Sequence, residues 1–331
     1  MVAFMDQRKG THGVEPIGRV LSSAPSTCFL CRAEEWYPTK RSARAAYAPS
    51  FVGLPDETVV VSPLMAAEEV RVTFRATAAL DEATIAALFD VLSDEERARC
   101  KRFVFPRDRR DFVVAHALLR HTLSRYHPIP PRDWVFVSEA GGKPRLSGDC
   151  TGPARLQFNL AHTDGLVACA VSRTAEVGVD VEAFDCRTEP LEIARRYFSA
   201  AEAEHLRRCA PADRPGRFVE IWTLKEAYIK AIGKGLSLPL DDFAFGFDGL
   251  STLWFTRTVS DAAWSFALFA PTERHRLAVA ARTARVDGGP AVVVCALAPA
   301  HADADADAIT IQPIRSCTVS VAGSAIANTP E

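Results

Sequence analysis

The sequence predicts an α+β fold made of two similar α/β halves related by pseudo-twofold symmetry, with the active site at their interface. Three observations predict it. Strand-like and helix-like periods alternate through the middle of the chain. Two capping boxes, Ser93-x-x-Glu96 and Ser199-x-x-Glu202, open helices 106 positions apart. A gapless slide of 106 also lays Phe112-Val113 on Phe218-Val219 and Leu118 on Leu224, and near that offset strand 69–75 meets strand 177–182. The order strand, capped helix, long helix, strand therefore occurs twice. The expected organisation is a poorly ordered peripheral extension over 1–66, an N-terminal half over 67–160, a C-terminal half over 161–284 and a peripheral segment over 285–331.

The elements follow in order. Residues 1–66 mix polar, Pro and Gly positions without a sustained period, and Cys28 and Cys31 form a lone CxxC with no second ligand pair nearby. "EVRVTFR" (69–75) alternates as a half-buried strand. Residues 112–125 have helical spacing, and "WVFV" (134–137) reads as a strand. "LVACAVS" (166–172), a turn at 173–176 and "VGVDVE" (177–182) read as a β-hairpin. A helix over 218–232 stops at Gly233. "HADADAD" (301–307) is low complexity.

The chain has 331 residues, 48 % hydrophobic and 24 % charged, with a net charge of −2. No global field recruits nucleic acid or an anionic membrane, so an anion site must be local. Nine cysteines at scattered positions suit free thiols in a reducing compartment. No apolar run approaches a spanning length, and the first residues lack an apolar leader core, so the expected location is the cytoplasm.

Within "VGVDVE", Asp180 and Glu182 share one strand face and the three valines take the other. Taken alone, such a face is either solvated or built for a hard divalent cation such as Mg²⁺. "WTLKEAYIK" (222–230) sets Trp222, Glu226 and Lys230 on one helix stripe. Glu226 is then either half of an exposed ion pair with Lys230 or a third carboxylate for the same cation. "RARCKRFVFPRDRR" (97–110) carries seven basic residues, read as a solvated helix face or a local phosphate site. "GGKPR" (141–145) puts Lys143 in a Gly/Pro turn, and "FNLAHTDG" (158–165) supplies Asn159 and His162. "GKGLSLPL" (233–240) lacks the spacing of a P-loop.

Together, "FNLAH", "VGVDVE", "RRYFSAAEAEHL" and "WTLKEAYIKAIGKGLSLPLDDF" resemble the Sfp-type 4′-phosphopantetheinyl transferases, as do "ERARCKRFVFPRD" and "GGKPRL" upstream. The resemblance covers about residues 69–283. It implies an enzyme that moves 4′-phosphopantetheine from coenzyme A to a serine hydroxyl of an apo acyl or peptidyl carrier protein, with Mg²⁺, releasing 3′,5′-ADP. It further implies Asp180, Glu182 and Glu226 as metal ligands. Glu226 would be the base. Lys230, with Lys225, would contact phosphates and steady the leaving group. Lys143, His162 and Arg99 would bind the phosphates of coenzyme A, Arg102 would lie on the same surface, and Asn159 and Pro144 would shape the pocket. The expected partners are coenzyme A and the carrier protein, without nucleic acid or membrane, and the expected state is a monomer. Three positions depart from the usual family pattern: Ala161 and Thr163 stand where the family usually has serines beside the histidine, and Asp111 follows "DRR" where relatives often carry a base. Ala161 and Asp111 motivate a second reading, a catalytically weak homologue that binds carrier or coenzyme A. A third, an unrelated Mg²⁺-dependent phosphohydrolase, is opposed by the W-x-x-KE-x-x-x-K helix.

Overall fold

The computed structural model describes residues 69–137, 143–147, 156–184, 189–233, 238–248, 252–257, 263–283, 291–296, 309–311, 313–319 and 325–326. The expected N-terminal extension, its CxxC and the "HADADAD" run lie outside them. The first part of the chain supplies β1 (Glu69–Ala76), α1 (Glu82–Asp90), α2 (Asp94–Cys100), α3 (Pro106–Ser124), a short ribbon of β2 (Phe136–Val137) and β3 (Arg145–Leu146), then β4 (Gln157–Thr163) and β5 (Leu166–Ser172). The second supplies β6 (Val177–Ala183), α4 (Pro190–Tyr197), α5 (Ala200–Arg208), α6 (Arg214–Ile232), β7 (Phe243–Asp248), β8 (Thr252–Arg257), β9 (Ala263–Thr272) and β10 (His275–Thr283). Then come β11 (Ala291–Ala296), β12 (Ile309–Ile311), β13 (Arg315–Val319) and β14 (Ala325–Ile326).

Two sheets carry the fold. One runs β12-β11-β1-β5-β4; the other runs β6-β10-β9-β13-β8-β7, with β14 beside β13. Their inner faces meet through Val70, Val72, Phe74, Ala168 and Ala170 from the first and Val177, Val179, Val181, Leu277 and Val279 from the second. Helix α3 covers the outer face of the first sheet, packing Val114 and Leu118 near Val167, Cys169 and Val171. Helix α6 covers the outer face of the second, where Trp222, Ala227 and Tyr228 join Ala278, Ala280 and Phe266. Strand β5 is thus buried on both faces, which is why its sequence is apolar without alternation.

Both capping boxes form as expected, on α2 and α5. Helices α3 and α6 each run 19 residues and begin earlier than the apolar period suggests, with a proline in the first turn. Gly233 ends α6 at φ 73°. Of "WVFV", Phe136 and Val137 alone pair as strand.

Three expectations are corrected. Strands β5 and β6 are not a hairpin: β5 pairs with β1 and β4, β6 pairs with β10, and the 173–176 connection crosses from one sheet to the other. The hairpin is β4–β5, closed by the two-residue turn Asp164-Gly165 with Gly165 at φ 83°. The division between halves accordingly falls at 173–176, not between 160 and 161, because β4 belongs wholly to the first sheet. The described strands of 285–331 are not peripheral: β11 pairs in parallel with β1, and β13 pairs with β9. Among the described residues no helix is long and apolar enough to cross a membrane.

Candidate active site

The site grows from the close approach of α6 to β6. A Cβ at Gly178 would lie 2.0 Å from the Ala227 carbonyl oxygen and 2.4 Å from the Ala231 nitrogen, so helix backbone rests directly on the strand there. The next two outward residues of β6 then meet the helix stripe read from the sequence. Lys230 Nζ donates to Asp180 Oδ1 at 2.6 Å, and Trp222 Nε1 donates to Glu182 Oε1 at 3.0 Å. Asp180 and Lys230 are buried, so the "VGVDVE" face is covered rather than solvated, and Lys230 pairs across to the strand instead of along its own helix.

Glu226 lies between them, fully buried, and neither carboxylate oxygen has a hydrogen-bond partner. Burial, with the negative charge of Asp180 adding to it and Lys230 opposing, pushes its carboxyl up to about 8. Among the described residues no three His, Cys, Asp or Glu side chains are gathered into a ready-made metal cage. The expected set Asp180, Glu182 and Glu226 is therefore not assembled as a triad: Asp180 and Glu226 face each other, while the Trp222 indole holds Glu182. Two facing carboxylates, one with both oxygens buried and unpartnered, are the donor chemistry that a hard cation takes.

Strand β4 brings the other half to this point. Asn159 Oδ1 accepts the Val179 N–H at 2.8 Å and so ties the edge of the first sheet to β6. His162 lies on the opposite face of β4 from Asn159. Burial, then the positive charges of Lys230, His116 and Arg99, push its imidazole down to about 3, so it is neutral at physiological pH. Arg99 sits over the Phe112 ring at 5.6 Å, and His116 packs 4.2 Å from that ring while its Nδ1 contacts Glu96 Oε1 at 2.7 Å. Arg99, His116, His162 and Lys230 thus form one group of nitrogen-bearing side chains drawn from both halves, with Arg99 and Lys230 its cations. His116 was not singled out from the sequence; its spacing of four from Phe112 and from Arg120 was the available signal.

The remaining expected residues separate. Lys143 Nζ donates to the Val177 carbonyl at 2.5 Å and its stem lies against Gly233, so it stands at the start of β6 beside the end of α6. Burial lowers its ammonium to about 8. Pro144, half-buried, follows it. Arg102 is exposed. Lys225 does not reach the site: it is buried on another face of α6, where Nζ donates to the carbonyls of Leu240 (2.6 Å) and Phe243 (2.7 Å) and pairs with Glu202 at 2.8 Å. These three partners use all its protons, so it is a core anchor.

The departures also resolve. Ala161 is buried between the sheets, on the face of β4 opposite His162. Thr163 is likewise fully buried. Asp111 points inward to Thr77, and Arg110 reaches Glu82 at 3.4 Å instead of neutralising it.

Comparison with known proteins follows this division. A family model described as "4'-phosphopantetheinyl transferase superfamily" matches residues 176–280, and one described as "4'-phosphopantetheinyl transferase, N-terminal" matches residues 80–174. The chain is 37 % identical over 156 residues to the 4'-phosphopantetheinyl transferase HetI of Nostoc sp., covering 47 % of this chain and 65 % of that one. It is 34 % identical over 155 residues to the transferase Sfp of Bacillus subtilis, covering 46 % and 65 %. It is 36 % identical over 165 residues to the transferase psf-1 of Bacillus pumilus, covering 49 % and 67 %. The chain therefore spans just under two thirds of the length of the first two relatives.

Proposed function

Because the chain belongs to the Sfp-type 4′-phosphopantetheinyl transferase family, we propose that it transfers 4′-phosphopantetheine from coenzyme A to a serine hydroxyl of an apo acyl or peptidyl carrier protein. The observation that carries this reading is the buried Glu226 carboxylate, without a hydrogen-bond partner, beside Asp180 and Lys230. Asp180 and Glu226, with Glu182 adjacent on β6, would hold Mg²⁺. When bound, Mg²⁺ supplies positive charge against the pyrophosphate and eases departure of the leaving group.

The rest is work for the chain's own residues. Arg99 and Lys230 would offer positive charge, and His116 and His162 hydrogen bonds, to the phosphates, with Lys143 at the start of β6 and Arg102 on the surface beyond. Asn159 and Pro144 shape the floor. In the reaction the serine Oγ bonds to the β-phosphorus of coenzyme A, and the bond to the bridging oxygen breaks. That oxygen leaves with the electron pair as 3′,5′-ADP, and the serine proton passes to Glu226 directly or through water. Alignment and charge neutralisation supply most of the rate in such transfers. We also read the two halves as related by a pseudo-twofold axis, with the site between them. The substitutions that motivated a catalytically weak homologue, Ala161 and Asp111, lie in the core and outside the group of Arg99, His116, His162 and Lys230, which favours an active enzyme.

Incubation of the protein with apo carrier proteins, coenzyme A and Mg²⁺ should add one phosphopantetheine mass to a carrier, and chelation of the metal should abolish it. No gain on acyl, peptidyl or aryl carriers would refute the proposal.

A further inference from the structure

Asp111 is a buried acid on α3. It is 5 % exposed, in the second turn of α3, and it joins three segments. Thr77 Oγ1, just past β1, donates to Asp111 Oδ1 at 2.5 Å. The Gly165 amide, in the β4–β5 turn, donates to the same carboxylate. Thr77 N–H donates to the Gly165 carbonyl at 3.0 Å, which closes the triangle. From the other side the turn is held by the second half: Arg274 Nη2 reaches Asp164 Oδ2 at 3.2 Å and His275 Nε2 donates to the Asp164 carbonyl at 3.0 Å. His162 is two residues before Asp164 on β4, so whatever fixes this two-residue turn fixes the strand end that carries it.

We propose that Asp111 is a positioning residue: it clamps the Asp164-Gly165 turn to the first half and thereby sets where His162 stands among Arg99, His116 and Lys230. The inference rests on the reading of that group as the site for the phosphates of coenzyme A. A neutral small residue at 111 leaves the Thr77 hydroxyl and the Gly165 amide without their shared acceptor. From the first half the turn then keeps the Thr77 N–H bond to the Gly165 carbonyl, without the Asp111 clamp, beside its tethers from the second half.

The test is a double-variant cycle on the full chain. Coenzyme A affinity is measured by titration calorimetry for Asp111→Ala, His162→Ala and the two together, with amide hydrogen exchange at Gly165 as a readout independent of activity. Asp111→Ala should weaken coenzyme A binding about tenfold and speed Gly165 exchange by at least about tenfold. Asp111→Asn keeps an acceptor and should restore both. In the His162→Ala background, Asp111→Ala should change affinity by less than about twofold. Losses that multiply in the double variant, or unchanged exchange at Gly165, overturn the proposal. If Asp111→Ala fails to fold, Thr77→Val removes one leg of the triangle, and the same cycle decides. Wild-type affinity in His162→Ala alone would remove His162 from the phosphate site and this inference with it. The carrier mass gain would still stand or fall on its own.

Discussion

Helices α3 and α6 solve the same anchoring problem with different cations. In the first half the capping-box residue Glu96 is buried and holds Arg120 at 2.9 Å, and Arg120 reaches on to the carbonyls of Pro131 and Trp134. In the second half the capping-box residue Glu202 is buried and holds Lys225 at 2.8 Å, and Lys225 reaches on to the carbonyls of Leu240 and Phe243. In both, a cap glutamate fixes the long helix to the helix before it and to the loop after it. The strand faces then diverge. Strand β1 turns Arg71 and Arg75 outward, near His121, Arg125 and Tyr126 of the α3 end. Strand β6 turns out Gly178, Asp180 and Glu182, and the glycine lets α6 lie close enough for Lys230 to meet Asp180. The anchoring pattern thus recurs in both halves, while the candidate carboxylates Asp180 and Glu226 lie in the half whose helix sits directly on its strand.

The largest expected effect tests the anchoring role of Lys225. Lys225→Met leaves the buried Glu202 carboxylate uncompensated and should cost about 3–5 kcal/mol of stability in urea denaturation. A phosphate ligand would instead lose coenzyme A affinity at full stability. Glu226→Gln tests the opposite assignment. Its carboxylate has no hydrogen bond to lose, so the midpoint of unfolding should hold or rise while transfer falls at least about 100-fold, roughly 2.7 kcal/mol of barrier. Wild-type turnover in that variant would return Glu226 to a structural role.

A smaller effect separates the halves by pH. The 106-residue slide places Asp111 opposite Arg217, so the buried acid belongs to the first half alone. Burial, opposed by the Thr77 hydrogen bond, raises the Asp111 carboxyl to about 6. A carboxyl raised on folding adds stability below its unfolded value near 3.9 and loses it as pH rises through about 6. Asp111→Asn should therefore match wild type near pH 4 and exceed it by about 2 kcal/mol at pH 8. Parallel pH profiles for the two proteins would show that Asp111 is not desolvated as described.

What could be read from the sequence was local. The capping boxes, the Gly233 stop and the Trp222-Glu226-Lys230 stripe depend on neighbours a few positions away, and each holds. The Lys225 expectation failed although the helical period already sets Lys225 off that stripe; proximity in the "KE" pair overrode it. The β5–β6 hairpin failed because strand alternation does not say which sheet a strand joins, whereas "DG" at 164–165, a strong two-residue turn signal, was in plain view. The place of Asp111 depended on Thr77 and Gly165, 34 and 54 positions away, beyond the reach of pattern reading. Membership of β11 and β13 in the two sheets is longer-range still.

That last pairing bears on how the chain is made. Strand β1 accepts β5 on one side as soon as residue 172 has emerged, but its other neighbour is β11, beginning at Ala291. During synthesis on the ribosome that edge of β1 has no strand partner among the described residues until the whole second half has passed. An unpaired edge of that kind is a template for wrong partners. Closure by so distant a strand also makes the last step of folding slow. A nascent chain cut short after β10 would thus carry every residue assigned to the candidate site and still lack the described strand that closes this edge of β1.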